Sequence, residues 1–388
     1  MQFISWFFLM YLAHLHNCAF IMAIQKISLQ QFLQLGKLHP VLDVRSPGEY
    51  AIAHMPNAYN LPLFSDEERK VVGTAYKQQS REKAIKIGLD YFGVKMRLMV
   101  EEAESLCKKI TALKNKDIVL KGGEPNTVRE NCILVHCWRG GMRSAGVAWL
   151  LDLYGFKVYS LAGGYKTYRE WVRLQFEQAW PLVVLGGYTG SGKTLVIHQL
   201  LQLGHPVIDL ENLANHKGSA FGSLGEAPQP KQEMFENLLA EKLVEIQLAD
   251  PELKNKIYIE DESQRIGALN IPPNFWIQMR SSPIRFLEIP FEERLTLLTE
   301  EYGRFNAPEL TDATIRIQKR LGPQETKKAI EFLELNDKKE CFRILLKYYD
   351  KYYERGLNNR DNLIAALVKI PCLSTDAIIN TQKLIDEH

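Results

Sequence analysis

Leu182-Val183-Val184-Leu185-Gly186-Gly187-Tyr188-Thr189-Gly190-Ser191-Gly192-Lys193-Thr194 runs from an apolar segment through a glycine-rich turn into a helix-forming one. The five apolar residues read as a buried strand, and the helix is expected from Thr194 to about Leu203, with Gly204 as its cap. Strand, Gly-x4-Gly-Lys-Thr and helix in this order is the arrangement in which loop N–H groups cradle phosphates. Gly187, Gly190, Ser191 and Gly192 shape the cradle, Lys193 neutralises phosphate charge, and the Thr194 hydroxyl is suited to Mg²⁺. Further strands are expected at Pro206–Leu210, Ile257–Ile259 and Ile284–Ile289. A helix is expected over 231–249, with Phe235, Leu239, Leu243 and Ile246 on one face. Glu260 and Asp261, closing the Ile257–Ile259 strand, are the candidate partners of the metal, and acids that merely end a strand are the plainer reading. From Phe291 onward the chain reads as mainly helical and charge-rich. The loop specifies a di- or triphosphate group; whether that group is ATP or another diphosphate-bearing substrate stays open.

Trp180-Pro181 marks a boundary, with one domain expected over 27–178 and a second over 181–388. In the first, Pro40–Val44 is an apolar run that delivers Asp43-Val44-Arg45 at its end. Ser65-Asp66-Glu67-Glu68 reads as an N-cap with an acidic first turn, opening a polar helical stretch to about Lys109. Residues 114–130, with Gly122-Gly123-Glu124-Pro125, read as a surface loop. Cys132–His136 is then a buried strand, Cys137–Arg143 a turn, and a helix follows to about Leu153. Phe156–Leu161 is a further strand, stopped by Gly163-Gly164. Strands alternating with helices imply a parallel sheet in both domains, an α/β class.

His136-Cys137-Trp138-Arg139-Gly140-Gly141-Met142-Arg143-Ser144 places a cysteine where backbone N–H groups and the positive end of a helix converge. An anion can sit there, and the same field favours the thiolate, a nucleophile. Gly140 and Gly141 let the turn curl, while Arg139 and Arg143 supply cationic support. Cys132, five residues earlier in the strand, is better read as inert core.

The remaining composition is that of an ordinary globular chain: 388 residues, 46% hydrophobic and 24% charged. A net charge of +2, from 48 basic and 46 acidic residues, argues against a strongly basic nucleic-acid coat but not against a local RNA-binding face. The six cysteines (Cys18, Cys107, Cys132, Cys137, Cys341, Cys372) form no CxxC pair and no metal-ligand cluster. They read as reduced thiols of a cytoplasmic protein without a structural zinc. Residues 1–26 form a hydrophobic leader in which Phe3–Ile24 carries no charge, and such a helix of ~1.5 Å per residue would reach across a ~30 Å hydrocarbon core. No Lys or Arg precedes Lys26, and His14, His16 and Asn17 interrupt the apolar run. The expectation is therefore a start at Met22 and no membrane anchor.

Around the cysteine the chain resembles the rhodanese family: Asp43-Val44-Arg45, Glu49-Tyr50, His54-Met55-Pro56, Ala58 and Asn60 match its N-terminal box, and Leu161-Ala162-Gly163-Gly164 its C-terminal glycine pair. Ala53 and Asn57 depart from it, standing where many rhodaneses have glycine. The Cys137–Arg143 ring is one residue wider than in thiosulfate sulfurtransferases and suits a tetrahedral anion. A rhodanese domain followed by a P-loop NTPase-like domain with a helical C-terminal extension is similar to the tRNA 2-selenouridine synthases. The stretches that carry this likeness include Leu63–Arg69, Asp209-Leu210-Glu211, His216–Gly222 and Glu260-Asp261-Glu262-Ser263. The resemblance implies a transferase that replaces sulfur by selenium in 2-thiouridine at the tRNA wobble position. It implies selenophosphate as donor, geranyl diphosphate as a second substrate through an S-geranyl intermediate, and an enzyme that supplies the selenophosphate. Cys137 would carry selenium as an S-selanylcysteine, with Arg139 and Arg143 on the departing phosphate.

Lys217, Arg265, Arg280, Lys319 and Arg320 are RNA-contact candidates by charge alone. Tyr348, Tyr349, Tyr352 and Tyr353, at helical spacing among Lys347, Lys351 and Arg355, could stack bases or pack inward. Two other readings compete: a Cys-x5-Arg phosphatase or sulfurtransferase coupled to a nucleotide-binding domain, and a non-catalytic scaffold whose loops only bind anions.

Overall fold

A computed structural model describes residues 24–120, 131–360 and 363–387. The chain divides into two compact units at Glu170/Trp171. Most of the hydrophobic leader, and the Gly122–Asn126 part of the expected loop, lie outside the described residues. Among those that are described, no helix is long and apolar enough to cross a membrane.

The first unit is built on a five-stranded parallel sheet in the order β1-β5-β4-β2-β3. Its strands are β1 (Gln25–Ile27), β2 (Val41–Asp43), β3 (Ala58–Asn60), β4 (Cys132–His136) and β5 (Lys157–Leu161). The sheet thus begins slightly before Ile27, because Gln25 and Lys26 pair with Tyr159 and Ser160. Helices α1 (Leu29–Gly36), α2 (Pro47–Ile52), α3 (Asp66–Gln78), α4 (Arg81–Gly93), α5 (Met96–Leu120), α6 (Met142–Tyr154) and α7 (Gly164–Gln175) complete the alternation. Ser65 caps α3 with a reciprocal capping box to Glu68, as its sequence suggests. The polar stretch is not one helix: Ser80 caps a second, and a third runs on to Leu120. The expected loop therefore starts too early, since residues 114–120 are helical. Lys114 explains part of this, because its ammonium donates to the carbonyls of Gly36 and His39 and ties α5 to the end of α1. β4 is buried at every position, and Ile133, Val135 and Cys137 join Leu42, Val147 and Leu151 in one apolar cluster.

The second unit has a parallel sheet in the order β12-β11-β6-β8-β7. Its strands are β6 (Leu182–Gly186), β7 (Val207–Ile208), β8 (Ile257–Glu260), β11 (Ile284–Glu288) and β12 (Leu367–Pro371), with a small antiparallel pair of β9 (Arg265–Ile266) and β10 (Leu269–Asn270). Central β6 feeds the phosphate loop into α8 (Lys193–Gln202). The strand expected at Pro206–Leu210 is shorter, because Asp209 accepts the Asn212 N–H and caps the short helix α9 (Leu210–Ala214). Helix α10 (Gln232–Ala249) buries Phe235, Leu239, Leu243 and Ile246. After α11 (Pro273–Ser281) and β11 come α12 (Phe291–Tyr302), α13 (Ala307–Arg316), α14 (Gln318–Leu321), α15 (Pro323–Glu334) and α16 (Lys338–Asn358), packed around Leu295, Leu310, Phe342 and Leu345. The last segment is not wholly helical, since β12 pairs in parallel with β11 over five residues before α18 (Ala377–Asp386), with the short α17 (Leu363–Ala366) preceding it.

Candidate active-site loops

The cysteine loop is held by two glycines that interlock. Gly140 has φ +60°, and a Cβ there would lie 2.5 Å from the Leu161 carbonyl; one at Gly164 (φ +64°) would lie 2.4 Å from both the Cys137 carbonyl and the Gly140 nitrogen. The chain after β5 therefore passes directly under the loop, and the N–H groups of Tyr165 and Lys166 donate to the carbonyls of Cys137 and Trp138. A side chain at either glycine would push the loop open.

Cys137 is buried, and its Sγ lies 3.2 Å from the hydroxyl of Ser144, which donates to the Gly141 carbonyl. Ser144 was not singled out in the sequence, although its place one residue beyond the cysteine-to-arginine ring was a signal. Arg143 belongs to the first turn of α6, and Glu49 engages its guanidinium at 2.7 and 3.4 Å. Burial works to raise the Glu49 carboxyl, but the hydrogen bond and charge of Arg143 outweigh it and hold that carboxyl below its usual range. Arg139 is exposed and makes no ion pair among the described residues. The two arginines thus differ: one cation is neutralised within the protein, the other is available to an anion.

The N-terminal box is a brace beneath this loop. Arg45 is buried, forks onto Asp43 at 2.6 and 2.9 Å, donates to the Ala53 carbonyl at 2.7 Å, and lies 3.8 Å over the ring of Tyr165. Asn60 Nδ2 donates to the carbonyls of Asp43 and Arg45. The two departures from the rhodanese pattern have local causes. Asn57 adopts φ +63°, a left-handed conformation that asparagine tolerates better than most residues, and Ala53 is extended at φ −168°, where no glycine is needed.

In the phosphate loop, Gly190 and Gly192 have φ +77° and +73°. Lys193 Nζ donates to the Gly187 carbonyl at 2.8 Å, so the ammonium spans the loop it would share with a phosphate. The Ser191 hydroxyl is buried and has no hydrogen-bond partner among the described residues. An unpartnered hydroxyl, the open N–H groups at the start of α8 and a lysine together form a donor-only surface, which fits an anion.

The Thr194 hydroxyl donates to Glu211 Oε2 at 2.9 Å. Glu211 starts a carboxylate group that also contains Glu262 and Glu260. Burial is the main cause pushing all three carboxyls up, helped by Asp209 for Glu211, by Asp209 and Glu211 for Glu260, and by Glu211 for Glu262. Glu260 Oε2 accepts the Leu210 N–H at 2.9 Å, while its Oε1 has no partner among the described residues. Asp261 is placed differently: it is engaged by Arg360 and by the Tyr353 hydroxyl at 2.6 Å. Tyr353 also accepts the Gly187 N–H at 3.2 Å, which links the first glycine of the loop to α16. The same helix holds the rest of the loop. Asp350 forks onto Arg294 at 2.8 Å twice, Arg294 donates to the Thr189 carbonyl, and Tyr188 donates to Glu354. No group of three or more His, Cys, Asp or Glu side chains able to hold a metal is present among the described residues.

The charge-only RNA candidates separate. Lys217 is occupied by Glu301 and Glu226, Arg265 bonds the Gly267 carbonyl and Arg280 the Gly356 carbonyl. Lys319 and Arg320 are exposed. The tyrosines split as well: Tyr353 reaches the phosphate loop and Tyr349 accepts the Ala220 N–H at 3.3 Å, whereas Tyr352 is 51% exposed.

Comparison with known proteins agrees with both halves. The family described as "tRNA 2-selenouridine synthase AAA domain" matches residues 180–369, and the rhodanese-like domain matches 27–171. The chain is 33% identical to a tRNA 2-selenouridine synthase of Hydrogenovibrio crunogenus over 83% of its own length and 90% of the relative's. It is 32% identical to that of a Sulfurovum species, over 81% and 88%. A third relative of the same name, from Bdellovibrio bacteriovorus, is 38% identical over 68% of this chain and 64% of its own. With a cysteine loop of rhodanese design, a phosphate loop in its proper strand-to-helix setting, and a third of its residues shared with these proteins along most of their length, the chain belongs to the tRNA 2-selenouridine synthase family.

Proposed function

We propose that this protein replaces sulfur by selenium in 2-thiouridine at the wobble position of tRNA, with selenophosphate as donor. The observation that carries the reading is the presence of Cys137 and the P-loop in one chain that aligns with 90% of a relative bearing that name. The Cys137 thiolate attacks the phosphorus of selenophosphate, an S–P bond forming as the Se–P bond breaks and hydrogenselenide leaves for C2. Water then cleaves the S–P bond, and Arg139 and the α6 N-terminus hold the phosphate that is released. Arg143 contributes by bracing the loop on Glu49, with the freedom to turn toward a more highly charged anion. A selenophosphate-producing enzyme supplies the donor, and the reaction takes place in the cytoplasm.

The P-loop grips a diphosphate, which we assign to geranyl diphosphate. The Ser191 hydroxyl, the loop N–H groups and Lys193 bind its phosphates. Mg²⁺ would be held by Thr194 and Glu211, the remaining positions going to phosphate oxygens and water, and would neutralise diphosphate charge. Two ligands of this kind are the usual protein share of a phosphate-bound Mg²⁺, so a ready-made cage of three is not required. Transfer of the geranyl group to sulfur turns C2 into a centre from which a thiol can leave. Selenium then forms its bond to C2 as the carbon–sulfur bond breaks and geranylthiol departs.

The two loops hold different groups, so their variants should fail at different steps. Tandem incubation of 2-thiouridine tRNA with geranyl diphosphate and then selenophosphate, read by mass spectrometry of nucleosides, tests this. Cys137→Ala is expected to keep geranylation and lose 2-selenouridine. Lys193→Ala is expected to lose geranylation and to recover selenium incorporation on pre-geranylated tRNA. Loss of geranylation in folded Cys137→Ala would refute the assignment.

A further inference from the structure

Helix α16 presents two faces. Its inner face secures the phosphate loop through Asp350, Tyr353 and Glu354. On its outer face Tyr348 and Tyr352, one turn apart, stack with ring centroids 6.4 Å apart and planes 23° from parallel. Arg320, from α14, lies 5.5 Å over the Tyr352 ring and its charge acts on the Tyr348 hydroxyl. Tyr352 is nevertheless half open to solvent. An aromatic pair already ordered, capped by a guanidinium on one side and exposed on the other, is costly to leave bare and cheap to complete.

Three cations without an ion pair border the aromatic pair. Lys319, Lys351 and Arg355 are exposed and make no ion pair among the described residues. Of the nearby acids, Asp350 is ion-paired with Arg294, and Glu354 accepts the Tyr188 hydroxyl, which leaves cations in excess. A polyanion is therefore the complementary partner, and flat rings suit one with bases to stack. Rings on an open surface cannot enter a paired A-form helix, whose major groove is too deep and narrow for side chains, so the bases must be unpaired.

We infer that Tyr348, Tyr352 and Arg320 form a stacking platform for unpaired tRNA nucleotides, with Lys319, Lys351 and Arg355 on the adjoining phosphates. This rests on the proposed action on tRNA. It puts the RNA on the helix whose other face carries the loop's Gly187 contact, so binding there and order in the phosphate loop share one element.

The test is tRNA affinity by fluorescence anisotropy for the full chain, with thermal melting as the folding control. Stacking is worth about 1–3 kcal/mol per base, so Tyr352→Ala is expected to weaken binding by roughly tenfold, and Tyr352→Phe by less than about twofold. Lys351→Ala is expected to flatten the dependence of log affinity on log salt by about 0.7–0.9. Wild-type affinity in folded Tyr352→Ala overturns the platform alone and returns the face to a protein contact. A wild-type protein that fails to bind tRNA at all overturns the functional reading with it.

Discussion

Replacing Tyr353 by phenylalanine removes one oxygen and leaves the ring's packing on Tyr188 and Phe286 intact. That oxygen donates to Asp261 at 2.6 Å and accepts the Gly187 N–H at 3.2 Å. A hydrogen bond to a charged group contributes about 1.5–3 kcal/mol net, and a neutral one about 0.5–1.5. Tyr353 is partly buried, and without its hydroxyl Asp261 is left with Arg360 alone. Tyr353→Phe is expected to cost about 2–4 kcal/mol. For a unit of this size that is a fall in melting temperature of roughly 5–15 °C. The wild-type hydroxyl also has a pH signature. Burial and the Asp261 charge raise its ionisation well above the usual 10, so its stabilising effect is complete below pH 10 and is lost as pH rises further, when the unfolded chain ionises first. Calorimetry from pH 7 to 11 should show the gap between the two proteins narrowing at the alkaline end. A melting temperature within about 2 °C of wild type at pH 7 would refute the claim that this hydroxyl braces the phosphate loop.

Two further outcomes follow from the buried groups. The Glu260 carboxyl is raised well above its usual 4.5 by burial, then by Asp209 and Glu211. A raised carboxyl favours the folded state below the unfolded value and loses that contribution as pH climbs through the window above 4.5. Glu260→Gln, measured by thermal melts without Mg²⁺ or diphosphate, should flatten this decline and match or exceed wild type at pH 8; a steeper decline would contradict it. The Ser144 hydroxyl accepts from the Cys137 thiol and donates to the Gly141 carbonyl, and it can turn its proton onto the sulfur once the thiol proton has gone. Ser144→Ala is therefore expected to slow alkylation of Cys137 by iodoacetamide by about tenfold, and an unchanged rate would show that the hydroxyl only fills space.

The strands that lead into the two loops, and the loops themselves, were legible because each is a local pattern. β4 and β6 are short apolar runs that stop at a turn, and buried parallel strands need nothing more. The elements that escaped are those fixed by distant partners. Leu367–Pro371 carries Lys369 and falls in the stretch that reads as mainly helical, and it is a strand because the edge of β11 offers it a complete ladder. Residues 114–120 look like polar loop, yet Lys114 reaches two carbonyls almost eighty positions earlier. Tyr348, Tyr349, Tyr352 and Tyr353 show the limit most clearly. One spacing serves two inward residues and two outward ones, because consecutive pairs straddle the boundary of the buried face.

The acidic end of β8 shows why motif reading stops short of a site. Glu260, Asp261 and Glu262 are consecutive, and strand alternation says only that neighbours point to opposite faces. Which of them serves the phosphate loop depends on who claims the others. Arg360 and Tyr353, roughly a hundred residues on, hold Asp261 in a structural pair; the Leu210 N–H holds one oxygen of Glu260. The carboxylate that meets the Thr194 hydroxyl is Glu211, in a short helix that begins where the expected Pro206–Leu210 strand was to end. Burial, then Asp209, pushes the Glu211 carboxyl up against the opposing pull of Lys193 and the Thr194 hydroxyl. A carboxylate reached by folding, not by spacing, therefore sets the charge beside the loop.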